Sequence, residues 1–460
     1  VDYAQAVFFK LFGLNWNSYL LHASFFNFLI TITIFLTLKR LGLDSKYSFF
    51  YSISVATLCY PVSGTPFAYQ HSFILSIISL MLLFLSIKTK SNYLWFFLPI
   101  VMVLAFFSMH VPSTYVNLVI VFFTLLYFFI NHNFSKIIPL LMGFFSITIF
   151  IVLFFLYFEI PFTKFIQQYI LFPMSIGEYR LEDPDYTFSL SANLTFRRLV
   201  GHFKFIYIFL FFIIGSLIFI FYKNKKNFNR KEDLIIYGSM IFVTFLLIFH
   251  QLITANQTFI FSIIPILAGL SHVLMVTYIS KKKIYQLLIL FLVIFVTIKY
   301  HEEYNIKRKF MDLQNKELNK SLNANLINKK LKNLKWITPF FPGTPEEEIN
   351  LLKDSILKIK NDNREKMIIT HYQFFSIILE EDLNIPNRWY LSNASHPALG
   401  NKYYKFYEDH FKNNIKKNNV LVIYKIGSKN IQNFKINVDN ICSIKTNINT
   451  ITSMHELKEC

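Results

Sequence analysis

FAYQHSFILSIISLMLLFLSI, residues 67–87, contains no Asp, Glu, Lys or Arg. A helix of that length crosses about 30 Å of hydrocarbon. A bilayer core supplies no water to backbone N–H and C=O groups, so the segment must satisfy them internally, as an α-helix does. A break comes just before it. YPVSGTPFAYQHSF, residues 60–73, carries Pro61, Pro66, Gly64 and the polar cluster Tyr69-Gln70-His71-Ser72. Two questions follow: whether the apolar pattern repeats, and what four polar residues do at a membrane boundary.

The pattern repeats through the first two thirds of the chain. Apolar runs near 19–38, 48–60, 67–87, 94–109, 113–131, 137–158, 204–222, 234–251, 257–279 and 284–299 predict about ten spans. The second and fourth are short, and each also reads as a tilted or re-entrant segment. The 460 residues are 54% hydrophobic with 55 Phe, and the mean hydropathy is +0.42. No strand-period alternation of the membrane-barrel kind is present. The chain opens at Val1 and reads as a fragment or a processed product. DYAQAVFFKLFGLNW lacks the basic start and cleavage site of a signal peptide.

Charge orders the spans. One set of short loops carries Lys39, Arg40 and Lys46, then Lys88 and Lys90, then Lys136, then Lys223, Lys225, Lys226, Arg230 and Lys231, then Lys281, Lys282 and Lys283. The alternate turns near 61–66, 110–112 and 252–256 carry no Lys or Arg. Basic loops stay in the cytoplasm, so the N-terminus, the turn around His71 and the C-terminal tail are expected outside. Much of the net charge of +19 is loop charge of this kind, and no nucleic-acid partner is needed to explain it.

Three parts are expected: a transmembrane domain over 1–300, a polar connector over 301–343, and an outward-facing tail over 344–460. A long outward loop, 159–203, interrupts the first, and its start is amphipathic enough to lie on a membrane surface. In the tail, Thr344 and Pro345 with Glu346, Glu347 and Glu348 predict a helix start. Strands are expected over 366–370 and 419–424, with a helix over 401–417 between them. The fold class is thus an α-helical polytopic membrane domain followed by a small α/β soluble domain.

The outward turns concentrate the polar chemistry. They carry Tyr69, Gln70 and His71; His110, Ser113 and Tyr115; and His250, Gln251, Asn256 and Gln257. Polar groups near a bilayer are costly unless paired or lining a wet cavity, so one face reads as a vestibule. Each residue also has a plainer reading: a helix break, a cap at Asn256, or a satisfied interfacial histidine. In the tail, His371, Tyr372, Arg388, Trp389, Tyr390 and His396 read as packing or as a lid that docks an acceptor. No HExxH, CxxC, GxSxG, P-loop or GxGxxG occurs. Cys442 and Cys460, both outside by this topology, are expected to pair, leaving Cys59 free within a span.

DYAQAVFFKLFGLNWNSYLLHASFFNFL with the basic LKRLGL that follows resembles polytopic GT-C superfamily glycosyltransferases. It is nearest in style to bacterial relatives of the protein-mannosyl and lipid A aminoarabinose transferases. The resemblance lies in Leu11-Phe12-Gly13-Leu14-Asn15-Trp16-Asn17-Ser18, and in the many spans, the outward mid-chain loop and the outward tail. It implies a bacterial inner-membrane enzyme. The donor would be a polyprenyl-phosphate sugar and the acceptor an extracytoplasmic glycan, lipid or protein; a divalent metal is compatible. It implies an aspartate in the first outward loop as activator of the acceptor. The chain lacks the span that normally precedes that loop, and Asp2 is its one acid there. Arg180, His71 and His110 would meet the leaving phosphate; Gln70, Asn256 and Gln257 the sugar hydroxyls; Tyr69 and Tyr115 the sugar ring. The alternatives are a polysaccharide polymerase and a non-catalytic membrane transport or assembly protein.

Overall fold

A computed structural model of the protein describes residues 1–132, 134–182, 190–223, 230–254, 260–279, 283–308, 310, 313–387, 390, 395–434 and 441–460. The chain divides into two compact units. One comprises Val1–Gly13, Asn17–Ile170 and Glu178–Phe310, the other Leu14–Trp16, Leu171–Gly177 and Met311–Cys460.

The first unit is helical. Its main helices are α1 (Asp2–Phe12), α2 (Trp16–Arg40), α3 (Ser45–Cys59), α4 (Ala68–Thr89), α5 (Asn92–Ser108), α6 (His110–Asn131), α7 (Ile137–Tyr157), α8 (Lys204–Lys223), α9 (Arg230–Thr254), α10 (Ile263–Leu274) and α11 (Lys283–His301). Among the described residues, eight segments are long and apolar enough to cross a membrane: α2, α4, α6, α7, α8, α9, α11 and the stretch Ile260–Ile279 that contains α10. They mark a multi-pass membrane protein. The ten expected spans reduce to eight because α5, at 17 residues, and α3, at 15, fall below full crossing length.

Helix α4 lies at the centre of this unit. α4 is apolar on all sides, and such a helix must be enclosed by protein or lipid; here 83% of its span is buried inside the protein. The Ile260–Ile279 segment is similarly enclosed, whereas only 11% of the α7 span is covered. Lipid tails are as apolar as Leu, so close packing rather than hydrophobic transfer joins these helices. α5 and α7 show how close. A Cβ placed on Gly143 would sit 1.9 Å from the Phe96 carbonyl oxygen, so only glycine fits that crossing. At the far end of α4, Lys88 pairs with Glu232 at 3.2 Å and Asp233 at 3.1 Å, and the Tyr278 hydroxyl donates to Asp233 at 2.6 Å. Lys88, expected as loop charge, is thus an ion-pair partner of α9.

The second unit holds a four-stranded sheet. Its main elements are α12 (Pro345–Lys360), β1 (Lys366–Thr370), α13 (Phe375–Leu379), α14 (Tyr404–Lys417), β2 (Val422–Ile426), α15 (Lys429–Gln432), β3 (Ile441–Asn447) and β4 (Thr452–Glu459). The strand order is β1-β2-β4-β3. β1 and β2 are parallel, with Ile368 opposite Tyr424, and β3 and β4 form an antiparallel hairpin. Alternate residues face opposite layers. Ile368, Val422 and Tyr424 pack with Ile349, Leu352 and Ile356 of α12. Met367, Ile369 and Ile423 pack with Phe411 and Ile415 of α14. With both faces covered, β1 and β2 are buried at every position, as parallel strands usually are.

The sequence expectation misses the hairpin and starts β2 three residues early, because Asn419 takes a left-handed turn (φ 49°) after α14. Thr344 stands before α12 without a side-chain cap, and Pro345 begins the helix. Cys442 and Cys460 are joined by a disulfide across the hairpin, and Cys59 is free and buried.

Candidate functional site

The break at 60–67 delivers α4 into the bundle with its polar cluster in the first turn. Tyr60 and Pro61 are extended, Ser63 and Gly64 take positive φ, and Phe67 precedes the helix. The turn is tied down from elsewhere in the unit. Asn305 Nδ2 donates to the Tyr60 carbonyl at 2.8 Å, and the Phe310 amide donates to Ser63 Oγ at 3.3 Å. Successive helical residues point about 100° apart, so Tyr69, Gln70 and His71 face three directions.

Tyr69 turns toward α6 and α9. Its ring stacks on His250 with centroids 5.5 Å apart and an interplanar angle of 16°, and Tyr115 meets the same imidazole edge-on at 6.1 Å. Three elements distant in sequence thus bring two phenols around one histidine. Beside it, Gln251 is buried, and among the described residues neither end of its amide has a hydrogen-bond partner. Gln70 is fully buried; its Nε2 donates to the Cys59 carbonyl at 3.3 Å and its Oε1 is unpartnered. Buried amide atoms without partners are uncommon and costly. The two glutamines leave one donor group and two acceptor oxygens unmet.

His71 turns the other way. One ring nitrogen, Nδ1, lies 2.9 Å from the Phe67 carbonyl, and Nε2 lies 2.9 Å from Nε2 of His22 in α2. His22 Nδ1 in turn lies 2.7 Å from Gln5 Oε1 of α1. Phe8 stacks on the His22 ring at 4.9 Å, and Phe26 stands edge-on to His71 at 4.2 Å. Both nitrogens of His71 are therefore engaged inside the bundle, and neither points into open space toward a phosphate. Sequence reasoning passes over His22 and Gln5. The available signal was a histidine within an otherwise apolar span.

The other expected residues separate. His110 begins α6 with its ring 5.6 Å from Tyr169, whose hydroxyl donates to the Phe106 carbonyl at 2.7 Å. Ser72 and Ser113 both donate to the Met109 carbonyl, at 2.8 and 2.6 Å, joining α4 to the start of α6. Asp2 lies in the first turn of α1. Asn256, Gln257 and the Arg180 side chain lie outside the described residues, as do Arg388 and Trp389. Among the described residues, no group of three or more His, Cys, Asp or Glu could hold a metal ion. In the tail, His371 and His396 each lie 6.1 Å from the Tyr390 ring, and burial lowers the pKa of both imidazoles.

No family model matches the chain, and no curated protein or solved structure matches it.

Proposed function

We propose that the chain is a glycosyltransferase of the GT-C type, moving a sugar from a polyprenyl-phosphate donor to an extracytoplasmic glycan, lipid or protein in a bacterial inner membrane. The observation that carries the reading is the group at the ends of α4, α6 and α9: the Tyr69–His250–Tyr115 cluster with Gln70, whose buried Oε1 lacks a partner, and Gln251, whose buried amide lacks one at both ends among the described residues. Aromatic rings suit the C–H face of a sugar, and unmet amide donors and acceptors suit its hydroxyls. The His250 imidazole is the group placed to take or return a proton at the reacting hydroxyl. Asp2 and Arg180 keep the roles the resemblance gives them, as acceptor activator and phosphate partner. Membranes containing the protein would be incubated with a radiolabelled polyprenyl-phosphate sugar. Transfer should fall at least about tenfold in Gln251→Leu, since a site built to bind a hydroxyl discriminates strongly once the bond is lost. Equal transfer by Gln251→Leu and Tyr69→Ala at matched expression would refute the assignment.

One observation favours a second reading. Facing imidazoles inside a span, as in His22 and His71, suit a proton relay and hence proton-coupled transport. Proton uptake by proteoliposomes that vanishes in His71→Phe, with no sugar transfer, would favour transport.

A further inference from the structure

A cavity of about 430 Å³ opens in the second unit where the parallel strands end. Ligands of open α/β sheets collect outside the carboxyl ends of the strands. Here Tyr372 follows β1 by two residues, Gly427 and Ser428 follow β2 directly, and Ile451 comes from the β3–β4 turn. The strand ends are fixed to one another: Thr370 Oγ1 donates to the Ile426 carbonyl at 2.8 Å, and the Gly427 amide donates to the Ile451 carbonyl at 2.9 Å. Gly427 has φ +138°, a conformation other residues rarely adopt.

The aromatic walls are held by a buried carboxylate. Glu348 of α12 is wholly inaccessible. It accepts from Trp336 Nε1 at 2.9 Å, from Thr338 Oγ1 at 2.8 Å and from the Tyr372 hydroxyl at 2.7 Å. Thr338 Oγ1 also accepts the Phe340 amide at 3.2 Å. One side chain thus fixes the Tyr372 ring and the segment that presents Phe340 and Phe341 to the same cavity. Lys429 and Ser428 stand at its rim.

We propose that this pocket binds one ring of an acidic saccharide, its C–H face against Phe340, Phe341 and Tyr372 and its carboxylate on Lys429. Three pre-positioned aromatic faces suit a flat apolar ring surface. Among the described residues that line the pocket, Lys429 supplies the one ammonium, which suits a single negative charge, and pockets of this volume enclose one or two sugar rings. The inference deepens the glycosyltransferase reading, since it rests on an extracytoplasmic tail that receives a glycan acceptor.

The full chain in lipid nanodiscs would be titrated with glucuronate, glucose and adenosine monophosphate, followed by saturation-transfer NMR. Glucuronate should bind, and glucose should bind about tenfold more weakly, as loss of a charge-assisted hydrogen bond requires. Lys429→Glu and Phe340→Ala, both at exposed positions, should each weaken glucuronate at least about fivefold without altering the melting profile. No glucuronate binding, equal binding by both variants, or preference for the nucleotide overturns the proposal. Donor-sugar transfer measured in Lys429→Glu separates the two readings. Loss of glucuronate binding with transfer from the polyprenyl donor to water intact leaves the glycosyltransferase reading standing, and absence of that transfer in the unaltered protein removes it.

Discussion

Replacing Glu348 tests whether one carboxylate organises the second unit. Glu348→Ala deprives three donors of their acceptor, those of Trp336, Thr338 and Tyr372. Each buried polar group left unsatisfied costs about 1–3 kcal/mol, so a loss of about 3–5 kcal/mol is expected after partial relaxation. Glu348→Gln keeps the volume and one acceptor oxygen. The indole N–H of Trp336 can only donate, whereas the hydroxyls of Thr338 and Tyr372 can rotate to accept. The amide should therefore aim its oxygen at Trp336 and its NH2 at the hydroxyls, holding the cost to about 1–2 kcal/mol. A whole-chain melt would blend two units, so hydrogen exchange of α12 and β1 amides, read by mass spectrometry, is the right measure. Every 1.4 kcal/mol is tenfold in exchange rate where reclosing outpaces exchange from the open unit, so that the rate follows the opening equilibrium. Exchange in Glu348→Gln should be about tenfold faster than in the unaltered protein, and faster by a further factor of ten or more in Glu348→Ala. If Glu348→Ala exchanges no faster than Glu348→Gln, the donors do not depend on this acceptor and the reasoning fails.

Gly143→Ala should destabilise the α5–α7 pair by about 1–3 kcal/mol, because its new Cβ meets backbone; Gly215→Ala, with nothing within 4 Å, is the matched control for thermal unfolding in detergent. Reducing Cys442–Cys460 should lower the stability of the second unit by about 3 kcal/mol in the chain-entropy account, and labelling of both cysteines without reductant in protein from its native membrane would count against the bond. Burial, then Lys425 and Lys445, holds His455 down to about 4. The unfolded chain, with a His near 6.5, therefore takes up a proton that the folded one refuses. Stability of this unit should fall as pH drops from about 6.5 to about 4, and His455→Gln should flatten that slope in hydrogen exchange. Alkaline phosphatase fused after residue 300 should be active and a fusion in the 223–233 loop inactive; the reverse pattern removes the outward face on which the proposed site depends.

The spans are legible in the sequence because a bilayer forces one answer on a long uncharged run. Which spans enclose α4 is not, since apolarity all round does not distinguish protein from lipid as the neighbour. For the same reason, nothing near His71 in the chain announces His22, which lies 49 residues away and meets it only once α2 packs on α4. Tyr69 and Tyr115, expected as ring faces, converge on His250, while His110 belongs to a contact with Tyr169. In the second unit, the runs KMIIT and VIYKI announce strands by apolarity. ICSIKTN and TSMHELKE do not: β3 is an exposed edge with polar side chains, and β4, though buried over its first half, carries Thr452, Ser453 and His455 there, so neither shows an apolar run.

The Gly143 crossing has a consequence for the membrane itself. α7, of 21 residues, is about 31 Å long, and its neighbour α5, of 17, is about 25 Å. They are locked backbone to backbone, so neither can slide or tilt freely past the other. A bilayer near 30 Å matches one and overshoots the other. Lipids beside this pair must thin locally over α5, and a change in acyl-chain length will be felt there first, while the enclosed α4 is shielded from it.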